Sequence, residues 1–261
     1  MNKKPCKIYK VARVCLLLKR QRCSIMACLM LIASDSALCS DELEDFPDIK
    51  PNVSQEPLFV SLGCSCIPAG MIRHFGKRQV AFPFDWMLTL DEGGFLQLLN
   101  NNFQDFTNEK YLVKHPINGD HLVHSLYRME FSHYWIADYW KDEILTCEEI
   151  KKLQTKLKKR VDRFHNLADY NGTVIFIRTV IQPYYKPEWY WFDRCVERDE
   201  KEFSLKLHGV LKNLFPNLNF KLIIVSQAEG QNRIEDFDAI KIYYFPTVGE
   251  HCYWEQLFLN P

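Results

Sequence analysis

The sequence predicts an α/β fold: a mostly parallel central sheet covered by helices, with a small hairpin insertion. Three observations predict it. Strand-length apolar runs at 58–62, 173–178, 220–225 and 240–245 are nearly continuous rather than alternating, as strands buried on both faces are. Stretches with helical spacing separate them, the arrangement that lays helices over a parallel sheet. The chain of 261 residues is 47% hydrophobic and 14% aromatic, enough for a sizeable core. Its formal net charge is zero, so neither a nucleic-acid footprint nor an acidic solvating tail is indicated.

Taken in order, residues 1–39 read as a leader. Residues 1–22 are basic and lack acids, 24–33 are apolar, Ser34, Ser36 and Ala37 are small, and Asp41, Glu42, Glu44 and Asp45 follow. That is the order of a secretory signal. The competing reading is an upstream start preceding a cytosolic protein. Localisation is thus secreted or periplasmic if the leader is real, and cytoplasmic otherwise. The apolar run is too short for a bilayer, so no membrane span is expected in the mature chain. Residues 40–57, acidic and proline-containing, read as a linker. Residues 58–261 read as a single α/β domain.

Within it, 58–62 is a strand and 66–75 a helix closed by Gly76. Asp91-Glu92 opens a second helix carrying Phe95, Leu96, Leu98 and Leu99. Residues 111–135 hold short β-like pieces around Asn118-Gly119, a hairpin signal. Thr146 with Glu149 forms a capping box for a long helix, whose stripe is Leu153, Leu157, Val161, Phe164 and Leu167. Asn171-Gly172 stops it. Residues 199–215 form an amphipathic helix that ends before Pro216. No internal repeat or low-complexity tract is present.

The chemistry concentrates in two stretches. Leu58-Phe59-Val60-Ser61-Leu62-Gly63-Cys64-Ser65-Cys66 delivers Cys66 from a strand to the first turn of a helix. Backbone N–H groups and the helix dipole favour a thiolate there. Cys66 is the candidate nucleophile, which needs partial exposure and a nearby base; Cys64 is the fallback. The other reading of Cys66 is a buried small hydrophobe. Six residues beyond the helix comes Ala81-Phe82-Pro83-Phe84-Asp85-Trp86-Met87, an aromatic block around one carboxylate. The two stretches are read as one site.

A cysteine nucleophile needs an imidazole base and a group to orient it. His133, in Phe131-Ser132-His133-Tyr134-Trp135, is the candidate base or an aromatic-packed structural histidine. Asp85 is a candidate orienting group or a helix N-cap after Pro83, since a carboxylate in an apolar block needs a partner. Arg178, ending a buried strand, either binds an anionic substrate group together with the aromatics around Trp86 or holds Asp85. Ten cysteines divide evenly between 1–39 and the body. None form a CxxC pair, so no structural zinc or other metal is expected. No phosphate loop or GxGxxG is present, so no cofactor is expected.

Ser61-Leu62-Gly63-x-x-Cys66-x-x-Ala69, Pro83-Phe84-Asp85-Trp86, Phe131-x-His133, and Arg160-Val161-Asp162-Arg163-Phe164 leading into Val174-x-Phe176-Ile177-Arg178 resemble a bacterial family of unknown function catalogued as papain-like cysteine peptidases. The resemblance spans roughly residues 58–258. It implies Cys66 as nucleophile, His133 as base and Asp85 as orienting group. The expected function is therefore a cysteine peptidase or a related thiol-dependent hydrolase or acyl transferase. Its partner would be a protein, peptide or small acyl substrate, and no nucleic acid. The alternative is a non-peptidase α/β module binding a sugar or nucleotide-type ligand where the strands end.

Overall fold

The computed structural model describes residues 56–116, 122–131, 147–180, 199–228, 230–259 and 261. All of them lie in the compact unit Glu42–Pro261. The central sheet has five strands in the order β1-β5-β6-β8-β7, where β1 is Leu58–Ser61, β5 Thr173–Val180, β6 Asn219–Gln227, β7 Arg233–Phe237 and β8 Ile240–Phe245. β1, β5, β6 and β8 run parallel, and only β7 is antiparallel. The α/β expectation holds.

Residues that alternate along each strand enter two separate cores. Leu58, Val60, Val174, Phe176, Leu222, Ile224 and Ile242 face one side. They pack under α2 (Glu92–Asn100), α3 (Cys147–His165) and α4 (Glu200–Leu214). Phe59, Ile175, Ile177, Ile223, Val225 and Tyr243 face the other, under α1 (Ile67–His74) and α5 (His251–Leu259). Two covered faces are why these strands read as unbroken apolar runs. On the second face the His74 ring of α1 lies 3.8 Å from that of His251 of α5.

Caps fix the helix starts. Asp91 accepts from the Gly94 N–H and Asp199 from the Glu202 N–H, each satisfying one of the first-turn donors. The capping-box residue Thr146 lies outside the described residues. Two elements carry no strong sequence signal. β7 is a charged edge strand, Arg233-Ile234-Glu235-Asp236-Phe237, whose polarity protects an open edge. α5 is anchored by the Trp254 indole N–H donating to Val248 O at 2.9 Å.

The hairpin insertion is present and larger than expected. β2 (Leu112–Lys114) pairs antiparallel with β3 (Leu122–His124), and β4 (Met129–Glu130) adds a third strand. Asn118-Gly119 lies outside the described residues. Leu88 and Glu130 exchange two backbone hydrogen bonds of 2.9 Å, so the segment after the aromatic block extends this small sheet. Among the described residues, no helix is long and apolar enough to cross a membrane.

Candidate functional site

The turn after β1 lies outside the carboxyl end of the parallel sheet. α1, which follows β1, packs on one face, whereas α4, the next described helix after the neighbouring β5, packs on the other. Open α/β sheets bind ligands outside the carboxyl ends of their strands, which is where this turn lies. Gly63, Cys64, Ser65 and Cys66 sit on the β1 side of this position and Thr179 on the β5 side.

The turn is sharply bent. Gly63 has φ +73° and Cys64 φ +75°, so two consecutive residues are left-handed and one of them carries a side chain. A Cβ on Gly63 would stand 3.1 Å from Phe84 O and 3.2 Å from both Phe84 Cβ and Thr89 Oγ1. The glycine is therefore required by close approach as well as by φ. This contact is the physical link between the two stretches: the backbone of the aromatic block lies directly against the strand-end turn.

Hydrogen bonds hold the turn from several sides. Leu62 N–H donates to Ile177 O at 2.7 Å and Thr179 N–H to Gly63 O at 3.3 Å. Cys64 N–H donates to Thr89 Oγ1 at 2.9 Å, and Thr89 N–H returns a bond to Cys64 O at 3.2 Å. Ser65 Oγ accepts from Ile67 N–H at 3.2 Å and lies 3.4 Å from Thr179 Oγ1.

Cys66 is the N-cap of α1, at φ −73° and ψ −11°, so the helix starts one residue later than predicted. It is 1% exposed, which corrects the partial exposure expected of a nucleophile. Of the N–H groups expected to receive an oxyanion at this helix start, that of Ile67 is engaged by Ser65 Oγ, and Pro68 has none.

Asp85 is buried in a turn, not at a helix start, so the N-cap reading is corrected. Its carboxylate accepts from Phe82 N–H at 2.8 Å and from Arg78 Nη2 at 2.7 Å. Trp86 is half-buried, with the Arg78 guanidinium 5.1 Å from its ring centre. The cation that pairs with Asp85 is thus Arg78.

Arg178 is 0% exposed and grips the turn. It donates to Leu62 O at 2.8 Å, to Thr89 Oγ1 at 2.8 Å and to Thr89 O at 2.6 Å. Its guanidinium lies 4.0 Å from the Phe95 ring centre and 5.5 Å from that of Phe203. His133 lies outside the described residues, so its position relative to Cys66 belongs to the proposal below.

Sequence reasoning missed Thr89, Ser65, Thr179 and Arg78. Thr89 carried one usable signal, a lone hydroxyl in the apolar run Met87-Leu88-Thr89-Leu90. Arg78 was findable by asking which nearby cation neutralises Asp85. Among the described residues, no three His, Cys, Asp or Glu side chains group to hold a metal ion.

The arrangement defines a class: an α/β domain whose strand-to-helix turn places a buried cysteine at a helix N-cap, at the carboxyl end of a mostly parallel sheet. The chain belongs to a family described as "Putative papain-like cysteine peptidase", whose profile matches residues 57–230. That match takes in β1 to β6 and ends before β7, β8 and α5, short of the range the resemblance suggested. The chain is also 24% identical over 145 residues to an uncharacterized protein of Acanthamoeba polyphaga mimivirus, a stretch covering 50% of this chain and 65% of that protein. This chain therefore spans just under two thirds of the viral relative. No solved structure matches.

Proposed function

We propose that the chain is a thiol-dependent acyl-transfer enzyme, a cysteine peptidase or a related hydrolase, with Cys66 as nucleophile. The observation that carries this reading is the position of Cys66. It caps α1 at the carboxyl end of β1, beside that of β5. Family membership supports the same reaction class.

In this reading the Cys66 thiolate attacks a substrate carbonyl carbon. A C–S bond forms and the carbonyl electron pair moves to oxygen, at the start of α1. Collapse of the adduct breaks the bond to the amine or alcohol, and His133 returns to that leaving group the proton it took from the thiol. Water then releases the acyl group by the reverse sequence. Because Cys66 is buried, the residues covering it must move before attack. Asp85 acts by holding Arg78 and the 82–86 turn against Gly63, and by this geometry the orienting role assigned to it is indirect.

Iodoacetamide labelling of the native protein, read by peptide mass spectrometry, tests the reading. Exposed Cys252 reports reagent delivery. The expected result is alkylation of Cys66 in the folded state with a pH inflection below the ordinary thiol range, moved upward by His133→Ala. Alkylation of Cys66 only on unfolding overturns the proposal and favours a ligand-binding module.

A further inference from the structure

Cys64 is a side-chain-bearing residue at φ +75°, a conformation that persists only where its surroundings impose it. Thr89 imposes it. Its hydroxyl accepts from the Cys64 N–H while its own N–H donates to the Cys64 carbonyl, so both polar backbone atoms of Cys64 are tied to one residue. Thr89 is held in turn: Arg178 donates to both its Oγ1 and its carbonyl, and donates also to Leu62 O, two residues before Cys64. Thr89, Cys64 and Arg178 are all buried, so water does not replace any of these bonds. Cys66 lies two residues beyond Cys64, and its place at the start of α1 depends on the direction in which the turn leaves Cys64.

We infer that Thr89, clamped by Arg178, is a positioning residue for Cys66: it fixes the left-handed turn at Cys64 and so sets where Cys66 enters α1. This assigns Arg178 to the turn rather than to a substrate anion. It rests on the thiol reading above and adds the element that sets the geometry of that thiol.

The test measures the pH dependence of Cys66 alkylation by iodoacetamide in four proteins: wild type, Thr89→Val, Thr89→Ser and Leu207→Ala. Valine keeps the shape and removes the acceptor; serine keeps the acceptor. Leu207 is a buried residue of α4 and controls for general destabilisation. Thr89→Val is expected to raise the inflection of Cys66 and slow its alkylation at pH 7 by about tenfold. Thr89→Ser restores the wild-type profile, and Leu207→Ala leaves the inflection unmoved. If Thr89→Val does not accumulate folded, Thr89→Cys, a weaker acceptor of similar size, carries the same prediction. An inflection unchanged in the Val or Cys variant, or moved equally by Leu207→Ala, overturns the positioning role while leaving the thiol reading intact. A wild-type Cys66 with an ordinary thiol profile overturns both, and this is visible without any variant.

Discussion

Gly63 is the residue on which the candidate site turns. Its φ of +73° is open to glycine without steric cost, whereas a left-handed alanine costs roughly 1–2 kcal/mol. The added methyl would also press on Phe84 and Thr89, with contacts of 3.1 and 3.2 Å to buried atoms that are themselves bonded. Gly63→Ala should therefore lower stability by about 2 kcal/mol or more. The measurement is urea unfolding, and the signature is a lower midpoint at an unchanged slope. A midpoint equal to wild type would mean that the turn and the aromatic block are not in the contact described. The same reasoning explains why the residues around Cys66 occur as two separated blocks. One supplies a turn without a Cβ, and the other supplies the backbone that fills the space.

The small sheet formed by β2, β3 and β4 behaves as an element with its own pH dependence. His124 of β3 is buried, and its ring is saturated in the neutral form. Nδ1 accepts from Tyr127 N–H at 3.3 Å, and Nε2 donates to Asp105 O at 3.1 Å. Burial pushes its pKa below the ordinary value of 6.5, only partly opposed by the Asp105 carbonyl and carboxylate. The folded state thus binds this proton less readily than the unfolded chain. Stability from this group is fully present above about pH 6.5 and is lost as pH falls toward the lowered folded value, at no more than about 1.4 kcal/mol per pH unit. His165 and His208 shift in the same direction, also through burial, so the total slope is shared. The check is the slope of stability against pH between about 5 and 6.5 in wild type and His124→Gln. The variant should be less stable at neutral pH and flatter below it. Equal slopes would show that His124 is protonated without cost.

At the level of the whole fold, one aromatic side chain ties the parts together. Phe164 of α3 lies 6.5 Å from Phe82 and 6.1 Å from Phe84 of the aromatic block. It also lies 5.3 Å from Phe103, 6.1 Å from Phe176 of β5 and 5.3 Å from Phe215 after α4. It is fully buried, so removing the ring leaves a cavity bounded by four segments. Phe164→Ala should cost about 3–5 kcal/mol, and Phe164→Leu clearly less. Thermal unfolding monitored by far-ultraviolet and near-ultraviolet circular dichroism checks this. Both signals should fall together at a lower midpoint. Separate transitions would show that the aromatic block and the sheet are independent units.

The layered architecture was legible in the chain because its cause is local. Strands buried on both faces must be apolar at consecutive positions, and Leu58-Phe59-Val60 and Leu222-Ile223-Ile224-Val225 announce that directly. The helices before α5 announced themselves through apolar spacing, and Asp91-Glu92 marked the start of one of them. β7 was not legible, since an edge strand with charges on it looks like a loop. The closeness of the strand-end turn to the aromatic block was inferred, but its reason lay in a Cβ-sized gap between Gly63 and Phe84. Only the tertiary structure decided the rest: the burial of Cys66, the pairing of Asp85 with Arg78 rather than Arg178, and the enlistment of Arg178 and Thr89 to hold the turn. Each depends on which groups meet across 7, 89 or 116 positions of chain. Hydrogen bonding between distant segments leaves no periodic trace in the order of residues, whereas burial of a strand or helix face does.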